Sequence, residues 1–121
     1  MAGDLVKEVT AQEFAELIKG EKPVFVDFFA TWCGPCKAME PIIDRVAEEF
    51  AGRAEFVKID IDKFGEIAVQ NGVRGVPTFM IFSGGKAAER IVGLSSKDAV
   101  ASMVVQYAEQ DQSEGEPATA R

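Results

Sequence analysis

The feature that most constrains this fold is a nearly uninterrupted apolar run at residues 24–29, VFVDFF. A strand with one face in water alternates apolar and polar residues, whereas a run that is apolar on both alternating faces is typical of a central strand in a covered sheet. Asp27 is the single polar residue of this run. The chain must therefore cover both faces of a sheet, and we predict that other elements pack on each side of this strand.

Strands and helices alternate along most of the chain. Predicted strands cover residues 6–9, 24–29, 55–61, 78–82 and 87–92, and predicted helices lie at about 11–19, 34–50, 64–69 and after Ser95 or Ser96. Alternation of this kind predicts parallel strands with helices on both faces. Gly84-Gly85 predicts a hairpin that adds antiparallel strands at the end. The expected class is therefore α/β, in the order βαβαβαββα.

Length and composition favour one domain followed by a tail. The chain has 121 residues, 47% of them hydrophobic, which is enough for a core without cross-links. Residues 109–121 (EQDQSEGEPATAR) are polar and lack periodicity. We therefore assign residues 1–108 to one domain and expect 109–121 to form a disordered, acidic C-terminal tail.

Charge and composition also narrow the function. The net charge is −7 and no large basic cluster occurs, which argues against binding to nucleic acid or to an anionic membrane. Histidine is absent, so catalysis and metal binding by histidine are excluded. The N-terminus shows no signal-peptide pattern, which favours a cytoplasmic location, although a chain with its signal already removed would look the same.

The chain has two cysteines, Cys33 and Cys36, in a loop that enters a helix. Helical residues three positions apart have Cβ atoms about 5–6 Å apart, and disulfides span Cα separations of about 4.4–6.8 Å. One helical turn can therefore hold two thiols or one disulfide with little backbone movement. Because a disulfide across so short a loop constrains the unfolded chain very little, we interpret the pair as redox-active rather than structural.

The two sulfurs are expected to differ. Cys33 lies at the mouth of the helix, where free N–H groups and the helix dipole stabilise a thiolate, and we expect this position to be exposed. Cys36 lies one turn deeper, on the same stripe as Met39 and Ile43, so it should be buried and protonated. We interpret Cys33 as the attacking nucleophile and Cys36 as the resolving thiol. No cation separates them, which favours a reducing pair.

A zinc site is the alternative interpretation of the two cysteines. Four-coordinate zinc needs four ligands, whereas this chain offers two cysteines and no histidine. Only a metal shared between two copies of the chain would satisfy that requirement. We therefore expect no metal site.

Asp27 and Lys58 each interrupt an apolar strand. A buried carboxylate is costly unless it is protonated or paired, so burial should raise the pKa of Asp27. Its strand ends shortly before Cys33, and we expect Asp27 to lie beneath the dithiol as a general base for Cys36. Lys58 would face Asp27 and share its proton. A buried ion pair without a catalytic role is the alternative for both residues, and Lys58 also has the option of reaching solvent.

The segment from Trp32 to Lys37 reads WCGPCK, and with it the chain resembles the thioredoxin family over about residues 5–108. The resemblance extends to residues that occur in family order and spacing: Asp27, Pro41, Lys58, Gly75, Val76, Pro77, Thr78 and Gly93. Phe29 departs from the family pattern, because many members carry a second tryptophan there. The ring is kept and an indole N–H donor is lost, so we expect the chemistry to persist.

The resemblance implies a thioredoxin fold, with a central five-stranded mixed β-sheet flanked by four α-helices. It implies a cis peptide bond before Pro77, which would free the backbone of Val76 to pair with an extended substrate segment. It also implies a flat apolar surface for partner proteins, formed by Trp32, Gly34, Pro35, Gly75, Val76, Pro77 and Gly93.

The activity implied by the resemblance is reduction of disulfides in other proteins by a monomeric chain. No cofactor would be bound. Electrons would come from NADPH or ferredoxin through thioredoxin reductase. Two other functions remain open from the sequence: a disulfide oxidase or isomerase, and a non-enzymatic subunit that binds and stabilises a partner protein.

Overall fold

The computed structural model describes residues 5–114, and the side chains of residues 5–108. Nine elements follow one another along the chain: β1 (Lys7–Glu8), α1 (Ala11–Leu17), β2 (Val24–Phe29), α2 (Gly34–Glu49), β3 (Glu55–Asp60), α3 (Gly65–Gln70), β4 (Thr78–Ser83), β5 (Lys86–Val92) and α4 (Lys97–Glu114). The predicted order βαβαβαββα is thus confirmed.

The five strands form one mixed sheet in the order β1-β3-β2-β4-β5. Strands β1, β3 and β2 are parallel, while β4 runs antiparallel to both β2 and β5. The apolar run at residues 24–29 is therefore the central strand, as its composition predicts. In the register between β2 and β3, Asp27 lies opposite Lys58.

Alternation along β2 divides the core into two layers. Val24, Val26 and Phe28 pack on one face, in a cluster that includes Phe14 of α1. On the opposite face, Phe25 packs in a cluster built mainly from α2 and α4. Since side chains two positions apart on a strand point the same way, Asp27 shares the face of Phe25 and lies toward α2.

Side-chain hydrogen bonds cap the N-termini of the first and last helices. The side chain of Thr10 accepts a hydrogen bond from the Glu13 N–H, and the Glu13 carboxylate accepts one from the Thr10 N–H, which completes the capping box that the sequence predicts. Of the two serines considered for the start of the last helix, Ser96 accepts a hydrogen bond from the Ala99 N–H over 3.1 Å.

Two boundaries differ from expectation. The strand expected at residues 6–9 covers only Lys7–Glu8. Helix α4 continues to Glu114, into the segment expected to be disordered from residue 109, while residues 115–121 lie outside the described part of the chain. Residues 97–114 contain no glycine or proline, so the sequence has no helix-breaking residue near position 109. Among the helices described, none has the length and apolar character to cross a membrane.

Candidate active site

The two cysteines form a disulfide at the start of α2. Cys33 is the N-cap residue of the helix, and Pro35 occupies its first turn, where a missing N–H costs no hydrogen bond. The two Cα atoms are 5.3 Å apart, within the range that one helical turn allows. The expected pairing of the thiols is therefore present, and the helix start supplies its geometry.

The expectation that Cys33 is exposed is wrong for this disulfide form. Both cysteines are 3% exposed and form a small apolar cluster with Ala30. Three partly buried residues from separate segments pack against this cluster: Phe29, Ile61 and Val76. The burial arises from these tertiary neighbours, which helical periodicity alone does not reveal.

The two sulfurs differ in their hydrogen bonding. The backbone N–H of Cys36 donates to the sulfur of Cys33 over 3.1 Å. This sulfur therefore occupies the place of an N-cap acceptor, where free N–H groups and the positive end of the helix dipole favour negative charge. Cys36 lies inside the helix with Met39 and Ile43 on its buried stripe, as the sequence predicts.

The segment before β4 contacts the disulfide cluster through Val76. The peptide bond between Val76 and Pro77 is cis, in agreement with the family resemblance. The Gly93 N–H donates to the Pro77 carbonyl over 2.9 Å, and the Thr78 hydroxyl donates to the Gly75 carbonyl over 2.7 Å. The first of these bonds brings Gly93 to Pro77, two residues that are distant in sequence and that the resemblance assigns to one surface. The second stabilises the turn from Gly75 to Thr78.

Large apolar side chains are exposed near these residues. Trp32 is 68% exposed beside the disulfide, and Val92 and Leu94, which flank Gly93, are 61% and 66% exposed. The Trp32 indole N–H donates to the carboxylate of Asp62 over 2.9 Å. Sequence reasoning did not identify Asp62, because nothing in its local pattern distinguishes it from other acidic loop residues.

Asp27 is 4% exposed, and its Oδ1 atom is buried without a hydrogen-bond partner in the described part of the chain. Burial raises the pKa of Asp27 from 3.8 to about 7; the charge of Lys58 opposes this rise, and that of Glu40 adds to it. The expected elevated pKa is thus present. A carboxyl group in this state exchanges its proton readily near neutral pH.

Asp27 and Lys58 meet at a small cavity of about 80 Å³, which Glu40 and Asp44 of α2 also line. The Lys58 Nζ atom additionally lies 5.3 Å from the ring centroid of Phe29. Sequence reasoning missed Glu40, although its position four residues after Cys36 places it one turn further along the same helix. Among the described residues, no group of three or more histidine, cysteine, aspartate or glutamate side chains is arranged to hold a metal ion.

Comparison with known proteins agrees with this geometry. The family model described as "Thioredoxin" matches residues 5–106. The chain belongs to the thioredoxin family. It is 40% identical over 103 residues to a thioredoxin of Pyropia yezoensis, covering 84% of this chain and 96% of that relative. It is 39% identical over 99 residues to a bifunctional thioredoxin reductase/thioredoxin of Mycobacterium leprae, covering 82% of this chain and 22% of that protein.

Solved thioredoxins also share the fold. The oxidised form of mitochondrial thioredoxin 3 from Saccharomyces cerevisiae superposes with a TM-score of 0.79 at 31% identity, covering 88% of this chain and 99% of the other. The chain thus has the thioredoxin fold, with five strands and four helices. With the Cys33–Cys36 disulfide in the family position, it is a thiol–disulfide oxidoreductase with the protein-disulfide reductase activity of thioredoxins.

Proposed function

We propose that the chain reduces protein disulfides in two steps, with Cys33 as the nucleophile and Cys36 as the resolving thiol. The observation that carries this assignment is the hydrogen bond from the Cys36 N–H to the Cys33 sulfur. In the reduced protein the same N–H stabilises a thiolate at Cys33, whereas Cys36 lies within the helix. The N-cap sulfur, Cys33, is therefore the one that attacks first.

The exchange conserves atoms and electrons. The Cys33 thiolate attacks one sulfur of a substrate disulfide, which forms a mixed disulfide and releases the other substrate sulfur as a thiolate that takes up a proton. Cys36 then loses its proton and attacks the Cys33 sulfur, which breaks the mixed disulfide. The second substrate sulfur leaves as a thiolate and takes up a proton. The products are a substrate with two thiols and the oxidised chain, with the Cys33–Cys36 disulfide that the structure contains.

Asp27 is proposed as the general base that takes the Cys36 proton. It lies on the face of the sheet covered by α2, and it lines the cavity that Glu40, one turn after Cys36, also lines. Its pKa of about 7 means that the carboxyl accepts and releases a proton near neutral pH. Lys58 is proposed to assist, because its positive charge opposes the rise in the pKa of Asp27 and so favours the base form.

The substrate is proposed to bind on the apolar surface beside the disulfide. This surface comprises Trp32, Gly34, Pro35, Gly75, Val76 and Gly93, together with Pro77, which is itself buried. Val76 packs against the disulfide cluster, and its backbone precedes strand β4, where an extended substrate segment would pair by strand addition. The exposed Trp32 ring would contribute apolar contact area next to the reacting sulfurs.

The dithiol requires a reductase partner for turnover. The fused reductase and thioredoxin in Mycobacterium leprae supports thioredoxin reductase as this partner. As the family resemblance implies, the electrons are proposed to come from NADPH or ferredoxin. We propose that the chain works as a monomer in the cytoplasm without a bound cofactor, and acts on disulfide-containing proteins rather than on nucleic acids or membranes. The net charge of −7 supports the last point.

Two cysteine variants test the proposal. Cys33→Ser should abolish reduction of insulin disulfides, whereas Cys36→Ser should accumulate a mixed disulfide through Cys33 that intact-mass spectrometry detects. Near-normal turnover by Cys33→Ser would contradict the nucleophile assignment. An adduct that never forms with Cys36→Ser would contradict the resolving role. Measuring the reduction potential against glutathione would separate a reductase from an oxidase, which would lie well above the glutathione couple.

A further inference from the structure

The cavity beneath α2 is lined by two acidic side chains, Glu40 and Asp44, that have no part in the two-step exchange. Its lining is formed by Val6, Asp27, Glu40, Ile43, Asp44 and Lys58, and we refer to it as the acidic cavity. With a volume of about 80 Å³ it has room for at least one water molecule. Glu40 belongs to this lining and is itself exposed, so it connects the cavity with solvent.

One carboxyl oxygen of Asp27, which lines this cavity, lacks a hydrogen-bond partner among the described residues. Its Oδ1 atom is buried and has no hydrogen-bond partner within the described residues. Its neighbours in the flanking strands, Lys58 of β3 and Phe79 of β4, are opposite it in register. A buried carboxyl oxygen without a protein partner is satisfied only by water or by its own proton. Burial favours the protonated state, and the charges around the cavity shift the balance.

The charged groups that face Asp27 come from two elements. Lys58 of β3 stabilises the carboxylate, while Glu40 and Asp44 approach from α2 with negative charge. Glu8 of β1 lies in register with Lys58, but its carboxylate pairs with Lys63 over 3.6 Å. Strand β4 contributes the apolar ring of Phe79 at this position.

Glu40 affects both carboxyl groups at the cavity. After desolvation, its charge is the next cause that raises the pKa of Asp44, and it also adds to the rise at Asp27. The pKa of Asp44 therefore also depends on the charge of Glu40. Glu40 is thus the negative charge common to both sites, and it reaches them from the solvent side.

We propose that Glu40 is a positioning residue for the resolving step, whose carboxylate across the acidic cavity opposes ionisation of Asp27 and so raises the pH at which Asp27 becomes a base. It does not touch the sulfurs and acts only through Asp27. The electrostatic part is independent of the proposed reaction, whereas the consequence for Cys36 rests on the proposed function.

Direct titration of Asp27 tests the electrostatic part. The carboxyl carbon of Asp27 is followed by NMR in ¹³C-aspartate-labelled, oxidised protein, with Asp27→Asn to assign the signal. Glu40→Gln removes one negative charge and should lower the Asp27 midpoint by roughly 0.5 pH unit, as expected for charges that interact across a partly solvated gap. Glu40→Asp keeps the charge and should restore most of the midpoint. Glu40→Lys should lower it further.

Glu48→Gln is the matched control. Glu48 is exposed on the same helix and does not line the cavity, so its loss should leave the Asp27 midpoint in place. An Asp27 midpoint in Glu40→Gln that equals the parent's would overturn the proposal. So would an equal shift in Glu40→Gln and Glu48→Gln, because that would reflect only the overall charge of the helix.

The kinetic consequence is measured separately. Resolution of a preformed mixed disulfide at Cys33 should show a pH profile displaced downward by the same interval in Glu40→Gln, with the maximal rate at alkaline pH nearly retained. A displaced NMR midpoint with an unmoved kinetic profile would overturn the role in resolution. If Cys33→Ser still turned over while the NMR midpoint moved, the proposed function would fail and the electrostatic role of Glu40 would stand.

Discussion

The indole N–H of Trp32 donates a hydrogen bond to Oδ2 of Asp62 over 2.9 Å. The two residues are thirty positions apart, in the loop before α2 and in the loop after β3. Within the described residues this is the only hydrogen bond of the Trp32 side chain, and it restricts the orientation of an otherwise exposed ring. A side chain so exposed would otherwise be free to leave the proposed substrate surface.

Asp62→Ala should release the Trp32 ring. We expect a loss of stability below about 1 kcal/mol, because a single solvent-accessible hydrogen bond contributes little net free energy. Since Trp32 is the only tryptophan, time-resolved fluorescence anisotropy reports this ring alone, and its local motion should increase. Asp62→Asn keeps an acceptor oxygen and should retain most of the order. Unchanged anisotropy in Asp62→Ala would show that packing, not the hydrogen bond, holds the ring.

Replacement of Asp27 by Asn should stabilise the protein at high pH. Burial raises the pKa of Asp27 to about 7 from 3.8, so between these pH values the folded state holds a proton that the unfolded state has lost. Stability therefore falls as pH rises through this interval, by at most about 4 kcal/mol in all. Asp27→Asn removes this penalty, so its advantage should be small near pH 4 and largest above pH 7.

Urea unfolding at several pH values measures that advantage. Glu21→Gln, at an exposed loop position, controls for the loss of one negative charge and should show no comparable trend. A difference between Asp27→Asn and the parent protein that stays constant from pH 4 to pH 8 would mean that Asp27 does not titrate in this interval.

Asp27→Ala should slow release of the reduced substrate more than the initial attack. A general base contributes about 10²–10⁴-fold, and water in the acidic cavity would replace part of this, so we expect roughly a 10-fold loss in the resolving step at neutral pH. Stopped-flow measurement of the two steps between pH 6 and pH 8 separates them. Ile43→Val, a neutral change in the same cavity lining, should leave the resolving rate nearly unaltered. Equal rates for Asp27→Ala and the parent protein would remove Asp27 from the step.

Much of the fold follows from local pattern. The apolar run around Phe25 and Phe28 predicts a covered central strand, and the single carboxylate within it predicts a buried acid with a raised pKa, which the structure confirms. Strand register also brings Lys58 opposite Asp27, as their matching positions within two apolar strands suggest.

Other features depend on contacts between distant segments. The burial of Cys33 comes from Ile61 and Val76, and the roles inferred for Glu40 and Asp62 come from a cavity and a loop contact. The local sequence around Glu40 or Asp62 does not indicate these contacts, because both look like ordinary exposed acidic residues. The cis bond before Pro77 followed only from the family resemblance, because trans is the common state of such bonds.

Arg90 of β5 provides the last prediction, because its guanidinium joins the edge strand to the turn after α3. Its Nη2 and Nη1 atoms donate to the carbonyls of Asn71 over 2.6 Å and Gly72 over 3.1 Å. These carbonyls precede the segment that carries Gly75 and Val76 to the disulfide. The two bonds therefore hold one end of the proposed substrate surface.

Arg90→Ala should loosen this segment without unfolding the sheet. We expect a loss of about 1 kcal/mol, since the bonds are solvent-accessible, and faster amide hydrogen exchange at residues 71–76 than in β2 and β3. Arg90→Lys keeps the charge but not the two-pronged donor geometry, so it should rescue only part of the protection. Full rescue by lysine would mean that charge alone is sufficient. Uniformly faster exchange across the sheet would indicate that Arg90 supports global stability rather than this turn.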